Sequence, residues 1–278
     1  MRDRGAFLIL FICLAFTFNV GAREIDLIDC PTADVLIKRN FRIITRVFHR
    51  GGLLLQGQLG LFERFSLGIS CGGTDVISDT DPLWNPRMEF MVRYRLIDED
   101  IIIPAVALGF ESQGHGNFSG LHNRYDSKSK GLYAVATKGF ARLMGLRAHF
   151  GINYNNYEGD NGENSNDSDD STSENAAKPS YLRNGNHEDE TNDDLQSLNA
   201  FAAVDFAFNP QVMGIIEYDV ANNDNRRDDL YGDGGGYLNA GVRWRISREF
   251  LCDFGFRDLL GTAGKNSRYL SLSYENKF

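Results

Sequence analysis

From about residue 41 to the end, apolar and polar side chains alternate one for one over stretches of about ten residues. Phe65, Leu67, Ile69 and Cys71 interleave with Ser66, Gly68, Ser70 and Gly72. Met88, Phe90, Val92, Tyr94 and Leu96 interleave with Arg87, Glu89, Arg93 and Arg95, with Met91 out of step. The same holds for Leu146, Ala148, Phe150, Ile152 and Tyr154, and again for Leu238, Ala240, Val242, Trp244 and Ile246. Successive side chains of a β-strand point to opposite faces, so each stretch reads as a strand with one apolar and one polar face. A tilted strand of about ten residues is also long enough to cross a bilayer. No helical period of 3.6 persists.

Soluble sandwiches and barrels alternate in the same way. The distribution of charge separates the two cases. The polar face carries Arg42, Arg46, Glu89, Arg93, Arg95, Arg147, Glu217, Asp219, Arg243, Arg245, Asp253 and Arg257, whereas the opposite face is almost free of ionisable groups. A charge facing lipid at the bilayer midplane costs about 2–4 kcal/mol, so a lipid-facing surface has to exclude it. Strands in lipid must also pair every N–H and C=O, which requires a closed sheet without edges. The expected fold is therefore all-β: a transmembrane, antiparallel up-and-down β-barrel.

About twelve strands are expected, at 41–49, 52–62, 65–74, 87–96, 102–111, 131–139, 146–155, 197–208, 212–221, 237–246, 250–258 and 268–278. Long polar connections (75–86, 112–130, 156–196, 222–236, 259–267) alternate with short turns such as 97–100, 208–211 and 247–249, the layout of an outer-membrane barrel. The turn at Arg50, Gly51 and Gly52 is the one short connection on the long-loop side. Plentiful Gly (29), Phe (20) and Tyr (11) suit such a sheet.

Ahead of the strands, Arg2 and Arg4 precede an apolar run from Ala6 to Phe18 that closes on Val20, Gly21 and Ala22. This layout reads as a secretory signal peptide over 1–22, too short to span a membrane, leaving a mature barrel over 23–278. Residues 23–40 are expected as a periplasmic segment before the first strand. The mature chain keeps Cys30, Cys71 and Cys252, an odd and scattered set that suits isolated apolar residues better than disulfides or zinc. The net charge of −9 makes nucleic acid an unsuitable partner. That charge is local: 156–196 holds twelve Asp or Glu against Lys178 and Arg183, and with the leader at +1 the remaining chain is neutral. Such composition reads as an acidic, disordered outer loop.

Three stretches, "LIDCPTADVL" (27–36), "YRLIDEDIIIPAVALGFES" (94–112) and "KSKGLYAVATKGF" (128–140), resemble the YjbH-like outer-membrane proteins associated with exopolysaccharide production. The resemblance implies an outer-membrane barrel linked to the envelope or to surface polysaccharide, and it carries no catalytic residues across. It further implies that Tyr274 and the terminal Phe278 form the signal read by the barrel-assembly machinery, with outer-membrane lipid and lipopolysaccharide as surroundings.

Catalytic candidates are sparse. His115, Asn117 and Ser119 share one Gly-rich loop, "GHGNFSG" (114–120), read as solvated because nothing holds a nucleophile opposite its base. His187 lies among Glu188, Asp189 and Glu190 in the acidic insert. Residues 158–194 are rich in oxygen ligands for weak divalent-cation binding, but lack the spacing of a calcium loop; no other cofactor is expected. "DNRRDDLYGDGGGY" (224–237) has no flanking strand and helix to make its glycines a nucleotide loop. The expectation is thus a non-enzymatic barrel, structural or transport-like, with its lumen charges paired across neighbouring strands. The alternatives are a barrel enzyme acting on lipid or peptide at the outer rim, and a narrow passive pore. A His115 or His187 held against a Ser or an acidic partner would favour the enzyme.

Overall fold

The computed structural model describes residues 25–120, 123–140, 142–143, 145–158, 198–224, 235–262 and 267–278. The leader, most of the acidic insert and His187 lie outside the described residues. Fifteen strands are present among them: β1 (Asn40–Phe48), β2 (Gly52–Phe62), β3 (Phe65–Thr74), β4 (Leu83–Trp84), β5 (Glu89–Ile97), β6 (Ala105–Glu111), β7 (His115–Ser119), β8 (Arg124–Ser127), β9 (Gly131–Phe140), β10 (Leu146–Tyr154), β11 (Leu198–Asn209), β12 (Val212–Asp219), β13 (Tyr237–Arg245), β14 (Phe250–Arg257) and β15 (Ser267–Lys277).

Twelve of them pair in sequence as antiparallel neighbours, and β15 returns to β1 in the register Arg42↔Glu275 and Phe48↔Tyr269, which closes the sheet into a barrel. These twelve are the strands expected from the alternation. The largest boundary difference is at β6, which starts at Ala105 rather than 102. Pro104 has no N–H for the ladder, and Ile101 and Ile102 remain in the turn, about nine-tenths exposed. The short β4 lengthens the edge of β3 at Gly73 and Thr74. The 112–130 segment departs from expectation more: it folds into the separate β7–β8 hairpin instead of a solvated loop.

Outside, the barrel presents an apolar belt including Ile69, Phe90, Val92, Leu108, Phe150, Ile152, Val242, Trp244 and Leu272, each more than a third exposed. Bare apolar area on every stave has no place in water and suits hydrocarbon. At the short-turn end Phe62, Phe140, Phe208 and Phe250 are exposed, and Tyr274 stands between Phe41 and Phe250, with ring centroids 5.9 and 4.8 Å apart. Phe278 belongs to the same rim, where its N–H donates to the Arg39 carbonyl at 2.9 Å.

Inside, large aromatics lie flat across glycines on the neighbouring strand. Tyr133 covers its register partner Gly109, and Phe201 covers Gly151; a Cβ at either glycine would fall 2.2 Å from the ring. Tyr269 covers Gly255 in the same manner. The missing side chains admit bulk that a barrel of twelve strands would otherwise have no room for.

Candidate functional site

Residues 25–36, expected outside the barrel in the periplasmic segment, instead fold back into the lumen. Arg39 donates to the Gly60 carbonyl at the short-turn rim, and from there toward its N-terminus the chain runs up the barrel axis. It turns tightly, with the Leu27 N–H donating to the Cys30 carbonyl (3.1 Å) and Thr32 N–H to the Ile25 carbonyl (3.0 Å). Apart from the part-buried Asp26 and Asp29, every residue of this plug is buried.

Two kinds of contact hold it. Its apolar side chains Leu27, Ile28, Cys30 and Ala33 form one core with Ala105 and Ala107 of β6, Tyr133 and Val135 of β9, Phe201 and Ala203 of β11, Ile215 of β12 and Tyr269 of β15. Its three aspartates meet arginines on the other staves. Asp34 accepts from Arg95 at 2.9 Å with one oxygen and pairs with Arg147 through the other. Asp26 pairs with Arg93 at 2.5 Å. Asp29 bridges Arg46 (3.2 Å) and Arg257. The arginines also reach main-chain carbonyls of the plug: Arg95 Nε to Ala33 at 2.9 Å, Arg46 Nη2 to Ile28 at 2.8 Å, and Arg243 Nη2 to Asp26 at 3.1 Å.

At the tip the polarity reverses. The N–H groups of Ile28, Asp29 and Cys30 donate to the Glu217 carboxylate at 2.5, 2.9 and 3.1 Å. Main-chain donors converging on one carboxylate form an anion nest, here closed around a wall residue.

Eleven of the twelve lumen candidates are buried; Arg245 is half-buried at the short-turn rim. Two pairs follow the expected cross-strand rule: Arg243 holds Asp253 through two 2.7 Å bonds, and Arg42 holds Glu275 at 2.6 and 3.0 Å, each directly opposite in register. The sequence places Arg46, Arg93, Arg95 and Arg147 in the same wall-to-wall lattice and Arg257 among the lumen charges. In the structure they serve the plug instead. Asp219 pairs with Lys130, and Glu89 takes Arg87 at 2.6 Å and the Tyr125 hydroxyl at 2.9 Å.

The long-loop end is stoppered by the β7–β8 hairpin. Arg124 and Tyr125 are buried, Arg124 pairs with Asp224, and Glu158 accepts from Ser129 N (2.7 Å), Ser129 Oγ (2.8 Å) and Asn155 Nδ2 (2.7 Å). Burial raises the Glu158 carboxyl above its usual range, against these donors. His115 touches the plug directly, Nε2 to Asp29 Oδ1 at 3.1 Å. Burial, helped by Arg257 and Arg46, pushes this imidazole well below its ordinary 6.5 despite Asp29.

Between plug and hairpin is a small cavity of about 20 Å³ lined by Asp29, His115, Lys130, Asp219 and Asp224, room for about one water. A vestibule of about 260 Å³ opens near it, lined by His49, His115, Asp126, Tyr237 and Arg257.

One further cluster lies beneath the plug: Thr137 Oγ1 is 2.9 Å from His149 Nδ1, and His149 Nε2 is 2.7 Å from Asp205 Oδ1. The residue types suit a nucleophile, base and acid. However, all three are fully buried, and the Thr137 hydroxyl accepts the Ala33 N–H at 2.9 Å. The cluster docks the plug. His115 does reach an acid, yet Asp29 is already engaged by two arginines, and Asn117 and Ser119 are tied up in the hairpin, with Asn117 N–H donating to Asp126 at 2.8 Å.

These features define a closed, plugged, twelve-stranded β-barrel with a lipid-compatible exterior. No family model and no curated protein matches the chain. Among solved structures it is similar in fold to the KdgM porin (TM-score 0.46, 7% identity, covering 84% of this chain and 98% of that one). It is likewise similar to the NanC porin (0.41, 7%, 86% and 99%) and to outer membrane protein Omp33 of Acinetobacter baumannii (0.41, 8%, 87% and 99%). At that distance the twelve-stranded closure rests on this chain's own strand pairing.

Proposed function

We propose that the chain is a non-enzymatic, transport-like barrel of a bacterial outer membrane, closed at rest by its own N-terminal segment and opened when that segment withdraws. The observation that carries this reading is how the plug is held. Beside its apolar core contacts it is positioned by ion pairs and hydrogen bonds that water or a solute can replace, and Cys30 forms no disulfide. A purely structural barrel would be served as well by a lumen filled from its own wall. The exterior belt and the aromatic short-turn rim support the outer membrane as its location. In this reading Tyr274 and Phe278 present the assembly signal from that rim, and the link to surface polysaccharide rests on the sequence resemblance. The enzyme alternative is disfavoured by the burial of Thr137, His149 and Asp205 and by the prior engagement of Asp29.

Planar-bilayer recording tests the reading. The intact chain is expected to be silent, whereas a barrel lacking 25–36, alone or with 114–127 replaced by a Gly-Ser turn, is expected to conduct. Silence from both folded variants would reject transport in favour of a structural role.

A further inference from the structure

We propose that the lumen is built to pass a solute bearing several carboxylates, and that Asp26, Asp29 and Asp34 occupy at rest the positions such a solute takes in transit. The proposal rests on the transport reading above and adds to it the class of cargo.

The arginines stand at different levels along the barrel axis. β1 and β14 run from the short-turn rim toward the loops, so Arg46 and Arg257, near their far ends, lie high in the barrel. β5 runs the other way and β10 upward, so Arg95 and Arg147 lie near the short-turn rim, and Arg93, two residues before Arg95 on the same face, stands above it. The guanidiniums thus form three steps up the axis: Arg46 with Arg257, then Arg93, then Arg95 with Arg147. Each step holds one plug aspartate, and the upper and lower steps share it between two arginines.

The plug supplies the nearest of these carboxylates. Arg243 and Arg42 have cross-strand acids of their own, Asp253 and Glu275, and keep them when the plug leaves. The five arginines of the ladder take their shortest carboxylate contacts from the plug, while Asp98 also lies 3.8 Å from Arg95 and Asp205, held by His149, stands opposite Arg147. Withdrawal also removes the three N–H donors from Glu217, the carboxylate on the wall near the upper step. Residues 25–36 carry three negative charges and no positive one, so the emptied passage is more cationic than the filled one by three charges. In a narrow lumen with low-dielectric walls, such a charge concentrates anions.

Two further observations fit a multivalent carboxylate. The guanidinium fork matches a carboxylate in shape, and the plug displays the match at the lower step, where the two Asp34 oxygens go to two different arginines. Arg257, the uppermost arginine, also lines the 260 Å³ vestibule at the loop end. An anion arriving from that side therefore meets the top of the ladder while the plug is still seated, and competes with Asp29 first.

Citrate is the probe. In a potassium chloride gradient, the barrel lacking 25–36 and the full-length Asp26→Asn/Asp29→Asn/Asp34→Asn variant are expected to show anion-selective reversal potentials and chloride current reduced by citrate. Arg95→Gln and Arg147→Gln in the deleted barrel are each expected to weaken citrate about tenfold, the worth of one charge-assisted hydrogen bond to a guanidinium. Arg245→Gln, at the rim and off the ladder, is expected to leave citrate affinity unchanged. Cation selectivity, or citrate affinity indifferent to both ladder substitutions, overturns the proposal. Calorimetry of citrate with the folded, detergent-solubilised deleted barrel separates the two readings. A silent barrel that binds citrate keeps the anion ladder and rejects transport; one that conducts without binding keeps transport and rejects the ladder.

Discussion

The lumen has two unlike walls. On β6, β9 and β11 the inward positions read Ala105, Ala107, Tyr133, Val135, Phe201 and Ala203, while on β1, β5, β10 and β14 they carry Arg46, Arg93, Arg95, Arg147 and Arg257. The first wall is mostly apolar at these levels, and the arginines of the second have their nearest counter-charges outside it. A plug that is apolar along Leu27, Ile28 and Ala33 and acidic at Asp26, Asp29 and Asp34 satisfies both at once. The difference teaches that a filled lumen can be built from two half-sites, one supplying affinity through burial and the other fixing position through charge.

If that division is right, the charged wall is the more fragile. Asp34→Ala leaves Arg95 and Arg147 without their plug carboxylate, and is expected to destabilise the docked plug by about 3–5 kcal/mol. Hydrogen exchange of the 25–36 amides measures this, and unchanged protection would mean that apolar burial alone seats the plug. Next in size, Glu217→Gln keeps the shape but weakens three charge-assisted bonds, at an expected cost of about 1.5–3 kcal/mol at the tip; exchange should quicken at Ile28, Asp29 and Cys30 before it does at Ala33. On the apolar wall, Ile215→Val removes one methylene, with an expected cost of about 0.5–1.5 kcal/mol. A loss as large as that of Asp34→Ala would reverse the ranking of the walls.

The smallest effect is pH-dependent. His115 has a depressed folded-state pKa, so the neutral imidazole is the form that fits. The stability it contributes is present above 6.5, the ordinary imidazole value, and is lost as pH falls below it. Limited proteolysis of the β7–β8 hairpin should therefore accelerate on acidification from neutral pH, and His115→Gln should flatten that dependence. A hairpin that becomes better protected in acid would assign His115 the opposite sign.

Much of this barrel is legible in the chain. All twelve staves, their orientation and the face each arginine takes follow from a period of two, because in lipid one face must shed every charge whatever its neighbours are. Met91, the residue out of step in its strand, indeed points inward, where its sulfur lies 3.9 Å from Gln58 Nε2 and from Arg93 Nη2. The plug left a fainter trace. β6, β9 and β11 put apolar residues such as Ala107, Val135 and Phe201 on their inward faces, which a water-filled lumen does not explain, and "LIDCPTADVL" spaces its aspartates among buried-type residues. Neither signal names the other as its partner, since contacts across some 190 residues, such as Glu217 to Ile28, have no periodicity to betray them. The 114–120 stretch misled for a related reason: glycine and polar residues read as a solvated loop, but Gly114 packs where a Cβ would strike the Tyr125 ring at 2.5 Å.

Closure into a membrane-type barrel with charges inward is written in the chain, because strand alternation and the cost of charge in lipid are local and act on each stave independently. Only the tertiary structure decided what those charges face. Five arginines pair at their shortest contacts with three aspartates from the N-terminal segment, because closing the barrel brings its staves around one axis and that segment folds back along it.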